Sequence, residues 1–384
     1  MKFFLSFLQS NAKYDIPAYG FWSYYIKNGI AEAGHTWAEC PDADWALGLV
    51  PKGKHEQVKW REDIWEKTIN WLKKNPADVF LSYLYPDQIE TSAIKEIRKL
   101  GIPCVNFFCD HVRQFKKVPA AFGAFDLNWV PEYKAVAWYI SAGYPYIHLP
   151  MPMWVQPENR LLRKETINQI TFIGSRDIQR ALLFEELISR NPEFPLVIYG
   201  SGWKDTHFIN DPNSPGYSFA KRLAFNYGFT KDQGITASVR KIRQRSINKQ
   251  IDKELLASKS NGMISFDLYN TLIGESMITL GVNRYPSYRF PLHRPATYSR
   301  LRDIEAPMLG ACYLTEWTEG IDELYDLDNE IAVYRTTDQL IGKAQELTLN
   351  SDQRNRLRKN GQRRALDDHS IPQSLNKIII RIKR

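Results

Sequence analysis

Short apolar runs alternate with amphipathic stretches along almost the whole chain, and that alternation leaves few architectures open. The firmest run is Ile-Pro-Cys-Val-Asn-Phe-Phe at 102–108, a buried strand preceded by Gly101 and followed by Asp110-His111. Upstream, 2–8 reads as a first strand and 10–20 as a loop containing Pro17 and Gly20. A helix follows over 21–33, stopped by Gly34-His35, and then a second strand over 36–38. Strand, glycine-bearing loop, helix and strand make a βαβ opening. Its loop offers backbone N–H groups and a helix start at the carboxyl end of a strand, where anions bind. Further strands are predicted at 44–49, 78–83 and 124–130, with helices at 63–74, 88–100 and 134–142. The alternation predicts a parallel sheet covered by helices on both faces.

The pattern breaks at Leu149-Pro150-Met151-Pro152-Met153-Trp154, where the prolines bar both helix and strand. A domain boundary is placed there, giving a first domain over 1–152 and a second over 153–368. The second opens with a strand at 169–173, the turn Gly174-Ser175 and a helix at 179–189. A strand at 196–199 runs into Gly200-Ser201-Gly202-Trp203. The stretch 204–236 supports no assignment. A long basic helix is predicted over 237–256, then a strand at 262–266 and an aromatic loop. Strands at 312–314 and 331–334 and helices at 338–347 and 352–366 complete the unit. The closing segment 369–384 carries Leu375, Ile378, Ile379 and Ile382 on one side, suited to packing back toward the first domain.

A length of 384 residues gives room for two such domains, and 43% hydrophobic against 24% charged residues suits a folded chain. The net charge of +8 favours an anionic partner: nucleotide phosphates, an anionic membrane face or nucleic acid. Cys40, Cys104, Cys109 and Cys312 form no Cys-x-x-Cys pair and read as free thiols in a reducing compartment. The apolar start, 1–8, is too short for a signal core, and no run reaches the length of a membrane span. A cytoplasmic protein is expected. The basic stretches 240–245 and 377–384, with apolar residues interleaved, suit peripheral contact with an anionic inner membrane face; solvated helix faces explain them as well.

One stretch asks for more than packing: Arg302-Asp303-Ile304-Glu305-Ala306-Pro307-Met308-Leu309-Gly310-Ala311-Cys312. Glu305 falls on the inner side of a helix start, where a carboxylate is costly unless it has partners. Its two oxygens can accept both hydroxyls of a ribose diol. A first-turn acid favoured by the helix dipole is the plain alternative.

Arg302, Glu305 and Gly310, the strand after them, Gly320 through Tyr325, the acid Glu330 before an apolar strand, and an arginine-rich helix reaching His369 together resemble a known pattern. It is that of the group 1 glycosyltransferases of GT-B fold, in particular the branch of spore-maturation CgeB-like proteins. Looser matches follow in order at 29–37, 102–111, 129–150, 172–180 and 198–203. The resemblance implies an α/β fold of GT-B type, two Rossmann-like domains facing across a cleft. It implies transfer of a sugar from a nucleoside diphosphate sugar, UDP-linked and of UDP-glucose type, with retention, to a polysaccharide or lipid-linked glycan of bacterial kind. No metal or other cofactor is implied, because arginines and backbone N–H groups neutralise the leaving diphosphate. A GT-B relative acting as a sugar-nucleotide epimerase or phosphorylase is the rival enzyme. A basic nucleic-acid-binding protein is the non-enzyme rival, but no nucleic-acid module is recognisable and no such partner is expected.

Residue by residue, the resemblance assigns the ribose to Glu305, with Arg302 orienting it or meeting phosphate. Arg180, Arg300 and the backbone around Ser299 and Leu301 fall to the diphosphate, with Arg176 and Arg294 as further candidates. Gly174, Ser175, Gly200 and Trp203 lie on the donor-side turns. Gly20 would let the backbone approach the donor, with Tyr19 and Trp22 lining the acceptor side. Asp110 and His111 are the catalytic candidates, as base or orienter for the acceptor hydroxyl. Thr297 stands where many group 1 enzymes carry a second glutamate, and the usual Arg and Lys pair after the first strand of the second domain is not intact. Asp42-Ala43-Asp44 and Asp326-Leu327-Asp328 spell Asp-x-Asp by chance, the first in a loop after Pro41 and the second in an acidic turn.

Overall fold

A computed structural model describes the chain except for residues 13, 15–18, 51, 205–238, 240–250, 288–294 and 384. The 237–256 helix with its 240–245 cluster therefore lies largely outside the described residues, as do Pro17 and Arg294. By internal contacts the chain divides into two units. One comprises Met1–Gln156, Ser299–Glu305 and Arg363–Arg384, the other Pro157–Tyr298 and Ala306–Gln362.

The first unit is built on six strands: β1 (Lys2–Ser6), β2 (Thr36–Ala38), β3 (Val79–Tyr83), β4 (Cys104–Phe107), β5 (Leu127–Val130) and β6 (Tyr146–His148). They stand in the order β2-β1-β3-β4-β5-β6, and every pairing is parallel. β1, β3, β4 and β5 are buried almost throughout, because helices cover both faces, so they read as continuous apolar runs. The connecting helices Tyr19–Glu32, Lys54–Lys74, Thr91–Lys99 and Tyr133–Ala142 follow the sequence pattern. Gly34 and Gly143, at positive φ, end the first and last of these. The terminal helix Ile371–Ile382 buries Ile371, Leu375 and Ile378 in this unit's core, and Ile371 lies against Gly29 of the Tyr19–Glu32 helix.

The second unit repeats the plan. Its strands are β7 (Ile167–Ile173), β8 (Leu196–Tyr199), β9 (Ser260–Gly262), β10 (Ser276–Gly281), β11 (Tyr313–Glu316) and β12 (Ala332–Tyr334). The order is β12-β11-β10-β7-β8-β9, again all parallel. Helices Ile178–Arg190, Phe266–Glu275 and Thr337–Leu349 belong to it, as does Ser351–Asp368 as far as Gln362. The helix Arg302–Met308 runs from the residues of one unit into those of the other.

The structure departs from the sequence reading in three places. Residues 44–49 form no strand: Asp44 accepts from the Leu47 N–H, and a 3-10 turn spans Ala46–Leu49. β6 was not anticipated. Phe266 begins a helix instead of ending a strand, and the fully buried β10 follows that helix with no intervening loop. Among the described residues, no helix is long and apolar enough to cross a membrane.

Two helical glycines make opposite forecasts. A Cβ at Gly29 would lie 2.3 Å from an Ile371 methyl carbon, whereas one at Gly342 meets nothing within 4 Å. Gly29→Ala should lower the Tm, costing about 1–3 kcal/mol through overpacking. Gly342→Ala should raise it slightly, by about 0.5–1 kcal/mol of helix propensity. Thermal melts of the two variants check both.

Candidate active site

Each sheet has one point where successive connections leave in opposite directions, and there a crevice opens beyond the carboxyl ends of the strands. In the first sheet it lies between β1 and β3, and in the second between β7 and β10. The second is the better furnished. β7 ends in Gly174-Ser175-Arg176-Asp177, and Asp177 caps the Ile178–Arg190 helix by accepting from the N–H groups of Gln179 (2.9 Å) and Arg180 (3.3 Å). The loop after β10 crosses to it: the Ile178 N–H donates to the Ser287 carbonyl at 2.8 Å, and the Ser287 N–H approaches Asp177.

Next door, β8 ends in Gly200-Ser201-Gly202-Trp203, and the two turns are sewn together. The Gly174 N–H donates to the Tyr199 carbonyl, the Arg176 N–H to the Ser201 carbonyl, and the Trp203 indole N–H to the Gly174 carbonyl at 2.7 Å. Ser201 Oγ lies 3.0 Å from Ser175 Oγ. Gly200 sits at φ 131°, and a Cβ there would fall 2.3 Å from the Gly174 oxygen, so only glycine fits. Five sequence candidates, Gly174, Ser175, Arg180, Gly200 and Trp203, are thus brought to one edge of one sheet.

One of the five is engaged within the turn. Arg180 is held locally: its Nη1 donates to the Ser175 carbonyl at 2.7 Å, its Nε lies 3.3 Å from Asp177, and its guanidinium covers the Phe172 ring. It braces the turn. Arg176 is buried beside it, and that burial disfavours its charge. Sequence reasoning passed over Asp177, because nothing in a sequence marks which acid caps a helix inside a crevice.

Glu305 lies in the helix Arg302–Met308. Asp303, fully buried, accepts from the Arg300 N–H at 2.9 Å and so shapes the start of that helix. Glu305 keeps 8% of its surface, and its carboxylate lies 3.3 Å from Arg302 Nε. Leu301 packs against the first unit's core. Glu305 and Arg302 both act on the Tyr25 phenol, whose pKa is raised first by burial and then by the Glu305 charge. Gly20 is not in a loop. It occupies the first turn of the Tyr19–Glu32 helix with open space where a Cβ would be. Trp22 is buried against Tyr83 and Phe107, in the core instead of lining a cleft.

Asp110 and His111 follow β4 and part ways. Asp110 keeps partial exposure, and Tyr85 Oη donates to it at 3.3 Å. Tyr85 in turn meets Tyr83 Oη at 3.1 Å. Burial raises the Asp110 pKa, and the nearby Arg113 opposes that rise. His111 is fully buried: its Nε2 lies 2.8 Å from Tyr139 Oη, and its Nδ1 lies 3.3 Å from Glu132, which also accepts from the Val112 N–H. Both ring nitrogens face protein groups, so in this structure the ring has no route to an acceptor hydroxyl.

The Asp-x-Asp pairs are engaged elsewhere. Asp44 accepts from Ser10 and Tyr14, and Asp328 pairs with Lys343. Among the described residues no three His, Cys, Asp or Glu side chains gather as metal ligands.

These features meet an independent likeness. Residues 236–379 match the family described as glycosyl transferase-like, a segment that contains Glu305. The match is to that broad family and does not single out the CgeB-like branch. No curated protein matches the chain. Solved structures do match. Sucrose-phosphate synthase from Thermosynechococcus elongatus aligns at TM-score 0.58 and 11% identity over 99% of this chain and 98% of that one. HepE of Anabaena, in complex with UDP, aligns at 0.57 and 12% identity over 99% of both. The lipopolysaccharide outer core galactosyltransferase WaaB, in its apo form, aligns at 0.55 and 12% identity over 99% of both. The fold is that of GT-B glycosyltransferases.

The contrast between the two catalytic candidates is testable. His111→Ala removes the partner of the buried Tyr139 hydroxyl and leaves a void beside Glu132, and should cost about 1–3 kcal/mol. Asp110→Asn removes a charge that burial disfavours and should leave the Tm unchanged or slightly higher. Thermal melts at neutral pH measure both.

Proposed function

We propose that this chain, glycosyl transferase-like over 236–379 and of GT-B fold throughout, moves a sugar of glucose type from a UDP-linked donor to a polysaccharide or lipid-linked glycan, with retention of configuration. The observation that carries the reading is Glu305. It is a nearly buried carboxylate with an arginine partner, on a helix whose start a second buried acid shapes, inside the matched segment. The two oxygens of such a carboxylate can accept both hydroxyls of a ribose diol. The UDP complex of HepE supports the choice of nucleotide.

The turns at Gly174 and Gly200 take the diphosphate, with Arg176 and the backbone near Ser299 and Leu301 adding positive character. Arg180 keeps the turn in shape. No metal is required, because fixed N–H dipoles and guanidiniums stabilise the leaving UDP. Asp110 orients the acceptor hydroxyl, and His111 acts as a positioning residue that fixes the backbone after β4. Catalysis is then mostly alignment and leaving-group stabilisation. A peripheral hold on an anionic membrane face, through the basic C-terminal helix, would suit a lipid-linked acceptor.

Calorimetry with UDP and with a short oligonucleotide tests the class: UDP should bind in the micromolar range and the oligonucleotide not at all. Glu305→Ala should weaken UDP at least ~10-fold, about 1.4 kcal/mol, without changing the Tm of the unliganded protein. Equal affinity would remove Glu305 from the site. UDP release from a panel of sugar nucleotides names the donor. Because the Asp110 pKa is raised, its carboxylate is lost as pH falls through a value above the ~3.9 of a free aspartate. Turnover should fall along that acid limb, and Asp110→Asn should lower kcat by ~100-fold at neutral pH.

A further inference from the structure

On the far side of the second crevice, a cavity of about 280 Å³ opens at the carboxyl ends of β10, β11 and β12. Arg284, Pro295, Thr297, Glu316, Trp317 and Arg335 line it. Its walls carry two guanidiniums against one carboxylate. The carboxylate is already spent. Glu316 accepts from the N–H groups of Asn283 (3.1 Å) and Arg284 (3.0 Å), and from Arg284 Nε at 3.0 Å. That pairing fixes Arg284 as well.

Arg335 is left over. It is exposed, and its guanidinium carbon lies over the Trp317 ring, 3.6 Å from the centroid; among the described residues no carboxylate pairs with it. A guanidinium resting on an aromatic ring is partly positioned before any ligand arrives, and its fork matches a carboxylate. Beside it stand the Thr297 hydroxyl and the Pro295 ring, a donor-acceptor and an apolar face such as a pyranose offers in return. The wall is held in place: the Tyr285 N–H donates to the Ala296 carbonyl at 2.8 Å, and the Trp317 N–H to the Tyr334 carbonyl at 2.7 Å.

We propose that this cavity is an anion-selective sugar subsite, in which Arg335 receives the carboxylate of a hexuronic acid. The inference deepens the glycosyltransferase reading and rests on it for the origin of the sugar, which either the donor or the acceptor glycan supplies.

Calorimetry with two matched pairs separates the sources: UDP-glucuronate against UDP-glucose, and a short oligouronide against its neutral counterpart. The acidic member of at least one pair should bind ~10-fold tighter or better. Arg335→Gln should abolish that advantage, and Arg335→Lys should keep only part of it, because the charge remains and the fork is lost. Preference in the UDP pair alone assigns the donor, and preference in the oligosaccharide pair alone assigns the acceptor. Equal affinities in both pairs, or an advantage that survives Arg335→Gln, overturn the subsite. Plain UDP serves as the control. If UDP fails to bind while the oligouronide preference depends on Arg335, the glycosyltransferase reading falls and the subsite stands. The Tm of each variant guards against misfolding.

Discussion

A parallel strand cannot pair with its successor until the chain has crossed a face of the sheet, and every described strand pairing in this protein is parallel. Much else follows. The crossovers cover both faces with helices and make the strands apolar throughout. They also bring every strand's carboxyl end to one edge of its sheet. Where the direction of crossing reverses, the loops diverge, and the divergence is the crevice. The Gly174 and Gly200 turns, Asp177 and the Arg335 cavity all stand at such an edge because topology leaves them nowhere else.

Polar groups inside this frame are kept in place by local partnerships. Arg358 is buried, and its guanidinium donates to the carbonyls of Arg163, Gly274 and Ser276, two of them at the end of the Phe266–Glu275 helix, where the backbone dipole favours a cation. Thr171 on β7 and Ser276 on β10 share a hydrogen bond at 2.6 Å beneath the crevice. His111 and Asp303 in the first unit and Asp177 in the second follow the same rule. Each is buried, and each has its partners supplied by backbone or by neighbouring side chains. What is left for a ligand is a small set of groups at the rim.

Much of this was legible in the sequence. The strands at 36–38 and 196–199 were placed to the residue, and the run at 102–108 marked β4 because a strand buried on both faces shows no alternation and little else looks like it. β10 escaped because Phe-Asp-Leu-Tyr-Asn-Thr-Leu-Ile-Gly-Glu passes straight into Ser-Met-Ile-Thr-Leu-Gly with no turn residue between helix and strand. Without β10 the reversal of crossing direction could not be seen, nor could the loop that meets Asp177. Glu305 was legible as an acid in an apolar setting. Glu316, Asp177 and Glu132 were not, since their burial is created by partners 32, 110 and 20 residues away. Gly20 and Trp22 were misplaced for a related reason: a glycine and an aromatic near a loop look alike whether they face a ligand or a helix turn.

The direct passage from Glu275 to Ser276 has a consequence for how such a chain can vary. Loops absorb insertions and deletions because their length is decoupled from the elements they join. Here no such slack exists. One residue added or removed at this junction must either rotate the helix by about 100° or carry the strand to the opposite side-chain phase. Since β10 is buried on both faces and adjoins the crevice, either response repacks the centre of the second sheet. The chain can therefore be lengthened around the crevice more readily than through the middle of its second sheet.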